Sequence, residues 1–387
     1  MPDGSLRSVH PDLDAMASFD WAEAAEPAPA TVLPGLGRRG RGAVTNPPPR
    51  FDTQRQGQVD DGWSFLADGA EMAAPALATE LVRDASRSAI AWNDSPDVGF
   101  DRAVNPYRGC EHGCIYCYAR PSHAYLGYSP GLDFETKIVF KPDVAALLEK
   151  ELSKPGYKPR TMGLGSNTDP YQPVERTLRL TRAVLEVLER FNHPVSIVTK
   201  SAGVLADLDI LARMAAKGLV RVWLSVTTLD PALARIMEPR ASTPARRLQA
   251  IAALSEAGVP AGVLAAPMIP GLNDMELERI LDAGHKAGAR HAAYVLLRLP
   301  LELRDMFGAW LAEHVPDRAQ RVLALIRETR GGQLNDSRFG QRFKGEGAYA
   351  DLLAQRFHRA RRQLGFGGRE SLDATRFCRP TAQLSLL

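Results

Sequence analysis

The sequence predicts an α/β fold built on a parallel sheet, and three observations within its 387 residues support this prediction. From about residue 100 onward, six short β-branched or apolar runs alternate with stretches of helical periodicity, which is typical of parallel strands joined by helices. The pairs Asp230-Pro231 and Thr243-Pro244 each place a capping side chain before a proline that suits the first turn of a helix. Gly258 supplies a residue type that commonly ends a helix.

The N-terminal segment differs in composition from the rest of the chain. Residues 1–50 hold eight prolines and five glycines and lack periodic apolar positions. Such a segment cannot bury enough apolar surface to offset the entropy lost on ordering, so we expect it to be largely disordered. Its basic patch "GRRGRGAVTNPPPRFD" is compatible with a nucleic-acid-binding arm, a piece packed along the domain edge, or a solvated linker.

The six predicted strands are short and mainly apolar, as expected of strands covered on both faces. They lie near 102–107, 161–165, 194–200, 220–227, 260–266 and 291–298. An additional apolar-rich piece, "FETKIVFKP", precedes the helical pattern "DVAALLEKEL". We interpret it as an insertion between the first two strand–helix units.

The C-terminal region is basic although the whole chain carries a formal charge of only +3. Between Arg318 and Arg379 there are 14 Lys and Arg against 6 Asp and Glu, a local excess of +8. Aromatic residues are interleaved with these arginines, namely Phe339, Phe343, Tyr349, Phe357 and Phe366. The pattern suits a surface that contacts phosphates and stacks bases, and it equally suits an amphipathic helix docked on the sheet with a solvated outer face.

Membrane insertion and a disulfide framework are not expected. The longest apolar stretch, "VPAGVLAAPMIPGL", is interrupted by three prolines, and no N-terminal pattern resembles a signal peptide. The chain has only four cysteines, three of them within eight positions. We therefore predict a cytoplasmic protein whose cysteine cluster binds metal or performs redox chemistry.

The cluster lies in "GCEHGCIYCYAR", residues 109–120, where Cys110, Cys114 and Cys117 follow the first predicted strand. Three soft thiolate ligands suit an iron–sulfur cluster or zinc. With His112 or His123 as the fourth ligand, a Cys3His zinc site remains open. Three cysteines on a four-iron cluster would instead leave one iron free for a small molecule.

The pattern C-x3-C-x-aromatic-C, with Tyr116 as the aromatic residue, resembles the signature of the radical S-adenosylmethionine (SAM) superfamily. The resemblance implies a partial (β/α)6 TIM-like barrel with its chemistry at the carboxyl ends of the strands. It also implies a [4Fe-4S] cluster, held by the three cysteines, whose open iron binds SAM. Reduction by a flavodoxin or ferredoxin would then cleave SAM to a 5′-deoxyadenosyl radical.

The expected organisation is a mostly disordered or extended region at 1–95, a radical SAM core barrel at 96–305, and a basic, mainly helical extension at 306–387. Within the superfamily, "GCEHGCIYCYARPSHAYLG", "TDPYQPVE", "IVTKS" and "PMIPGLND" resemble the spore-photoproduct-lyase-like branch over about residues 100–300. Members of this branch are often labelled DNA repair photolyases. DNA or RNA is therefore the first expected substrate, and a non-catalytic zinc-binding nucleic-acid module is the alternative.

The resemblance also assigns SAM contacts. Tyr116 would pack near the adenine, and Ser166, Thr168 and Asp169 would face the ammonium group of SAM. Asn-Thr-Asp-Pro is also ordinary turn chemistry, so Asp169 is equally well explained as a turn residue. Ser225 would meet the ribose hydroxyls, or serve as a hydrogen-bonded core hydroxyl.

Two cations and three further side chains are candidates near the barrel mouth. Lys200 and Arg240 would pair with the SAM carboxylate or an anionic substrate, or form surface salt bridges. Tyr118, Arg120 and His123 directly follow the cluster and would line the substrate side or relay protons; a packed, hydrogen-bonded histidine is the commoner case.

One departure concerns the return of hydrogen to the product. Spore photoproduct lyase uses a barrel cysteine for this step, but here no cysteine lies between Tyr118 and Phe377. Cys378 could serve only if the C-terminal tail folds over the barrel mouth, and we expect a buried, inert thiol.

Overall fold

The computed structural model describes residues 40–51, 77–368 and 371–380 of the chain. Residues 1–39 and 52–76, most of the segment predicted to be disordered, lie outside the described residues. The strands are, in chain order, β1 (Glu80–Arg83), β2 (Ile90–Trp92), β3 (Arg102–Val104), β4 (Tyr107–Arg108), β5 (Lys137–Phe140), β6 (Met162–Leu164), β7 (Val195–Thr199), β8 (Val220–Ser225), β9 (Ala261–Met268) and β10 (His291–Leu296).

The main sheet has the strand order β10-β9-β8-β7-β6-β3-β2. Its six strands from β3 to β10 are parallel and follow one another in chain order, while β2 pairs antiparallel with β3 at the first edge. Each of the six lies within or next to a run that the sequence predicts as a strand. The expected parallel α/β barrel of six strands is therefore confirmed.

Helices connect successive parallel strands and continue after the last one. They are α1 (Asp133–Thr136), α2 (Val144–Leu152), α3 (Glu175–Leu178), α4 (Leu180–Arg190), α5 (Leu208–Ala216), α6 (Pro231–Met237), α7 (Pro244–Glu256), α8 (Leu277–Lys286), α9 (Leu303–His314), α10 (Pro316–Glu328) and α11 (Ala348–Gln363). The two predicted caps are present, because the Asp230 carboxylate and the Thr243 hydroxyl accept hydrogen bonds from N–H groups in the first turns of α6 and α7.

Apolar side chains of the parallel strands form the layer between the sheet and the helices, as where Gly284 of α8 lies against the Val263 side chain. Ile197, Val222, Leu224 and Val263 are fully buried on adjacent strands. Burial of this continuous apolar surface is the main stabilising contribution, and it explains why the strands are recognisable as apolar runs.

The predicted insertion forms part of a second, three-stranded sheet of order β1-β5-β4. Strand β5 lies in the insertion, pairing parallel with β1 and antiparallel with β4. Residues 77–95 therefore contribute strands to both sheets, through β1 and β2. The boundary placed at residue 95 stays a prediction.

The C-terminal extension is helical, as predicted, and covers the edge of the last parallel strand. The N–H of Leu296 in β10 donates to the Phe343 carbonyl at 2.9 Å. The guanidinium of Arg330 is buried and donates to the carbonyls of Leu296 and Leu297. Among the described residues, no helix has both the length and the apolar character required to cross a membrane.

The C-terminal tail packs at the amino ends of the strands, away from the expected site. The ring of Phe377 contacts those of Tyr157 and Phe191, which precede β6 and β7. The Cys378 N–H donates to the Phe191 carbonyl at 3.0 Å. The Cys378 thiol is exposed, so the expectation of a buried thiol is wrong, and it cannot serve at the barrel mouth from this position.

Candidate metal centre

The three clustered cysteines share one loop at the carboxyl end of β3. Cys110 and Cys114 are each 8% exposed, and Cys117 is half-buried. Two tight turns hold them, since the Gly113 N–H donates to the Cys110 carbonyl and the Cys117 N–H to the Cys114 carbonyl. Gly109 and Gly113 adopt positive φ angles of 80° and 68°, which favour glycine. The loop thus presents three thiols at the expected end of the barrel.

The surroundings of Cys110 and Cys114 disfavour a free thiolate. Burial raises the pKa of Cys110 well above its ordinary value, and the nearby Asp169 carboxylate and Cys114 thiol add to the rise. Burial also raises the pKa of Cys114, while the Lys200 ammonium acts in the opposite direction. The thiolate is the form of cysteine that binds metal. A cationic metal centre would therefore stabilise the thiolates in these surroundings. The donor set fits an iron–sulfur cluster.

Within the described part of the chain, no three His, Cys, Asp or Glu side chains are arranged around a single point that could hold one metal ion. A [4Fe-4S] cluster has no such requirement, because each thiolate binds a different iron. His112, the possible fourth ligand of a zinc site, instead lies with its Nδ1 atom 3.3 Å from an Asp169 carboxylate oxygen.

Arg120 holds the cysteine loop from inside the protein. Its guanidinium is fully buried and donates to the carbonyls of Cys114, Pro130 and Gly131 and to the carboxylate of Glu135. The expectation that Arg120 lines the substrate side is therefore wrong. The reason is that four acceptors surround this guanidinium in the core, three backbone carbonyls and the Glu135 carboxylate.

His123 is also buried rather than exposed to substrate. Its Nε2 atom lies 3.1 Å from the Lys137 carbonyl, and its ring contacts those of Tyr128 and Phe134. Burial lowers the pKa of His123 to about 4, so the ring is neutral at physiological pH. It is the packed, hydrogen-bonded histidine that the sequence left as the commoner case.

Residues 40–51, which we call the strap, lie against the cysteine loop. The Gly42 and Ala43 N–H groups donate to the two carboxylate oxygens of Glu135 at 2.9 and 2.8 Å. A Cβ atom on Gly42 would lie 1.8 Å from the Gly113 carbonyl oxygen. Of the three interpretations of the basic patch, packing along the domain edge describes this part of it.

The strap leads to a first prediction. The substitution Gly42→Ala places a methyl group against the Gly113 carbonyl, a backbone atom that a rotamer change cannot move. We expect the free energy of unfolding to fall by about 2 kcal/mol, as for other overpacked sites. Urea unfolding of the purified protein measures this change.

The matched control is Gly156→Ala, because a Cβ atom at Gly156 meets nothing within 4 Å. Its expected effect is within about 0.5 kcal/mol of the wild type. Equal stability of the two variants would show that the strap is not closely packed against the cysteine loop at Gly42.

Tyr116 belongs to a buried polar network. Its hydroxyl donates to the Glu238 carboxylate and lies 3.1 Å from the Thr227 hydroxyl. Arg247 pairs with the same carboxylate, and both partners are almost completely buried. The network fixes the Tyr116 ring between the cysteine loop and the segment that follows β8. Its predicted position near the adenine of SAM stays a prediction.

Asp169 bridges three parts of the site. Its carboxylate accepts from the Tyr171 N–H, the Thr199 hydroxyl and the Lys200 N–H, and it also contacts His112. Burial alone would raise the pKa of Asp169, but the His112 interaction and these hydrogen bonds lower it to about 2. The bond from the Tyr171 N–H is the turn contact that the sequence left open. A SAM ammonium group would have to share the Asp169 carboxylate oxygens with these donors.

The predicted hydroxyl contacts all lie at carboxyl ends of strands. Thr168 donates to the Tyr107 carbonyl at 2.9 Å, and Ser225 donates to the Ala266 carbonyl at 2.9 Å. Ser166 lies 3.4 Å from the Asn105 amide and is half-buried. The Thr168 and Ser225 hydroxyls donate and so retain both acceptor lone pairs, whereas Ser166 accepts one bond from the Asn105 amide and retains one lone pair for a cation.

The two candidate cations differ in their partners. The Lys200 ammonium lies 5.6 Å above the Tyr116 ring and acts on Cys114, which places it at the cysteine loop. Arg240 pairs with the buried Glu111 carboxylate at 3.2 Å, the salt bridge that the sequence left open. Lys200 is thus the cation of the pair that faces the thiols.

Three residues that the sequence did not single out, Arg298, Glu135 and Glu238, also support the site. Tyr118 is 46% exposed, as expected for a substrate-side residue, and Arg298 lies 4.8 Å from the centroid of its ring. The Glu135 carboxylate accepts from Arg120 of the cysteine loop, and the Glu238 carboxylate accepts from Tyr116. No local motif marks these three residues, because their partners are distant in sequence.

Two of the predicted stacking residues are not available for bases. Phe357 and Phe366 are buried, and the hydroxyl of Tyr349 donates to Asp274. These residues attach α11 to α8 and β10, which is the docked-helix alternative. Phe339 remains exposed, and Phe343 lies near Arg298.

Comparisons with known proteins agree with this architecture. Residues 104–284 match the family model of the radical SAM superfamily. Uncharacterized proteins of Mycobacterium bovis and Mycobacterium tuberculosis are each 39% identical over 242 residues, covering 61% of this chain and 71% of the relative. An uncharacterized protein of Methanocaldococcus jannaschii is 28% identical over 184 residues, covering 48% of this chain and 66% of the relative.

Among solved structures, spore photoproduct lyase complexed with dinucleoside spore photoproduct has a TM-score of 0.54 at 18% identity. The match covers 73% of this chain and 79% of that chain. A variant of the same enzyme with bound AdoMet and dinucleoside spore photoproduct has a TM-score of 0.53 at 17% identity, covering 73% and 78%. At these identities the likeness establishes the shared fold.

Proposed function

Because the chain belongs to the radical SAM superfamily, we propose that Cys110, Cys114 and Cys117 hold a [4Fe-4S] cluster that binds SAM at its open iron. The observation that carries the proposal is the loop itself, which brings together three thiols, two buried and one half-buried, and supplies no fourth cysteine. When bound and reduced, the cluster supplies the electron that cleaves SAM to a 5′-deoxyadenosyl radical.

The residues of the chain would bind and orient SAM. Lys200, beside the cysteine loop and Tyr116, is suited to the SAM carboxylate. Thr168 and Ser166 retain acceptor lone pairs for the ammonium group. Asp169 adds negative charge at the same strand end.

Tyr116 and Ser225 would contact the adenosine part of SAM. The network of Glu238 and Arg247 fixes the Tyr116 ring, which reduces the ordering cost of binding. The Ser225 hydroxyl lies at the carboxyl end of β8, where it can accept from a ribose hydroxyl.

For the substrate we propose a nucleic acid, with a flavodoxin or ferredoxin as reductant. Two observations support the nucleic acid: the basic C-terminal extension, and the fold shared with an enzyme solved with a dinucleoside photoproduct. Cys378 would not return hydrogen to the product, because its exposed thiol lies at the amino ends of the strands.

The test is anaerobic reconstitution with iron and sulfide, followed by addition of SAM and dithionite. We expect a brown protein with about four irons per chain that releases 5′-deoxyadenosine. A colourless protein that binds one zinc and leaves SAM unchanged would overturn the proposal in favour of a zinc-binding nucleic-acid module.

A further inference from the structure

Arg298 is a half-buried cation beside the cysteine loop. Within residues 40–51, 77–368 and 371–380, its guanidinium has no hydrogen bond and no ion pair; its contacts are the rings of Tyr118 and Phe343, 4.8 and 5.6 Å from Cζ. Burial lowers the pKa of Arg298, and the Arg342 charge adds to this effect. A half-buried guanidinium without an acceptor is unfavourable, so an external anion would stabilise this position.

Arg342, next to it, is paired with an internal carboxylate. Its Nε atom lies 2.6 Å from one Asp97 oxygen, and the Gly340 N–H donates to the other at 2.7 Å. The Arg342 Nε atom and this Asp97 oxygen are close, but their geometry is not that of a hydrogen bond, and neither atom has a hydrogen-bond partner among the described residues. Asp97 also acts electrostatically on Arg298, so this one carboxylate stabilises the positive charge of both arginines.

Exposed aromatic rings flank the two arginines. Phe339 is 55% exposed and Tyr118 46% exposed, and the Arg342 guanidinium lies 4.9 Å from the Phe339 ring centroid. The Tyr118 hydroxyl donates to the Ser166 carbonyl, which fixes its ring. An inorganic anion would need only the arginines, whereas unstacked bases also use such rings.

We propose that Arg298 and Arg342 hold a backbone phosphate of a single-stranded nucleic acid. The bases on either side of that phosphate stack on Tyr118 and Phe339. Asp97 occupies part of the anion site in the unbound protein and is displaced from it by the phosphate. This assignment rests on the proposed nucleic-acid substrate, and it places one base next to Cys117, the last residue of the metal-binding loop.

The test measures binding of a fluorescein-labelled oligothymidine of eight nucleotides to the reconstituted, oxidised holoprotein without reductant. Fluorescence anisotropy reports the binding. Arg298→Ala is expected to weaken binding about tenfold and to reduce the slope of log K against log salt by about 1. Arg304→Ala, which removes an exposed arginine of α9, is the matched control and should bind as the wild type does. An equal loss of affinity in both variants would overturn the proposed site, because it would show that the oligonucleotide is bound by the general positive charge of the surface.

Asp97→Asn should have the opposite effect. Neutralising Asp97 removes the internal negative charge that competes with the phosphate, so binding is expected to tighten about threefold. Weaker binding in this variant would contradict the displacement of Asp97. Unlabelled oligothymidine should compete, whereas inorganic phosphate at the same concentration should not; equal competition by phosphate would overturn the base contacts.

Phe339→Ala covers the case in which Arg298→Ala does not fold. Phe339 is exposed, so the variant should fold, and losing one stacking ring is expected to weaken binding about tenfold. Unchanged binding would contradict the site. If the wild type cleaves SAM but no variant alters oligonucleotide binding, the proposed phosphate site is wrong while the radical SAM function stands. If the wild type leaves SAM unchanged and Arg298→Ala still weakens binding, the site stands and the radical SAM function fails.

Discussion

Replacing any one of Cys110, Cys114 or Cys117 by alanine is expected to abolish the brown colour of the reconstituted protein. Each thiol lies on the same short, mostly buried loop, and the chain offers no other cysteine at this end of the barrel. Since even residues that only orient a metal ligand change affinity by about 10- to 100-fold, loss of a ligand should reduce SAM cleavage by more than about 100-fold. Iron content, visible absorbance and 5′-deoxyadenosine release measure the effect.

Cys378→Ala is the matched control for these variants. It removes the fourth cysteine of the chain, whose exposed thiol accepts from the Asn192 amide at the amino ends of the strands. We expect wild-type iron content and SAM cleavage. Retention of iron by any of the three loop variants would show that the loop does not ligate the cluster in the proposed way.

The fold was predictable because its signals are local. Buried parallel strands are continuous apolar runs, and the caps at Asp230 and Thr243 are encoded within three residues of the helix start. The cysteine loop was predictable for the same reason, since its ligand spacing is contained in eight positions. The position of the C-terminal tail was not, because it depends on ring contacts of Phe377 with Tyr157 and Phe191, which are distant in sequence.

The supports of the site illustrate the same limit. The Tyr116 hydroxyl meets Glu238, 122 positions away, and Gly42 meets Gly113 in the cysteine loop. A carboxylate just after a helix and a glycine in a proline-rich segment are too common to suggest these contacts from sequence. For Asp169 the sequence left a turn and a ligand contact equally open, because both use a carboxylate followed by proline.

The buried pair of Arg120 and Glu135 is expected to be the most sensitive support of the cysteine loop. Both side chains are completely buried, and the Glu135 carboxylate also accepts from the strap at Gly42 and Ala43. Glu135→Gln removes the charge opposite Arg120 and turns one acceptor into a donor that faces the Gly42 N–H. Since breaking a buried pair leaves an uncompensated charge, we expect a loss of about 3–5 kcal/mol in the free energy of unfolding.

The control for Glu135→Gln is Glu189→Gln, which breaks the surface pair with Arg213. Water can solvate both groups there, so the expected loss is below about 1 kcal/mol. Urea unfolding gives the stability of both variants, and the rate of bleaching in air shows whether the cluster is still protected. If Glu135→Gln unfolds and bleaches like Glu189→Gln, then Arg120 does not depend on its partner. The bonds of the Arg120 guanidinium to the carbonyls of Cys114 and Gly131 would then hold the cysteine loop without charge compensation.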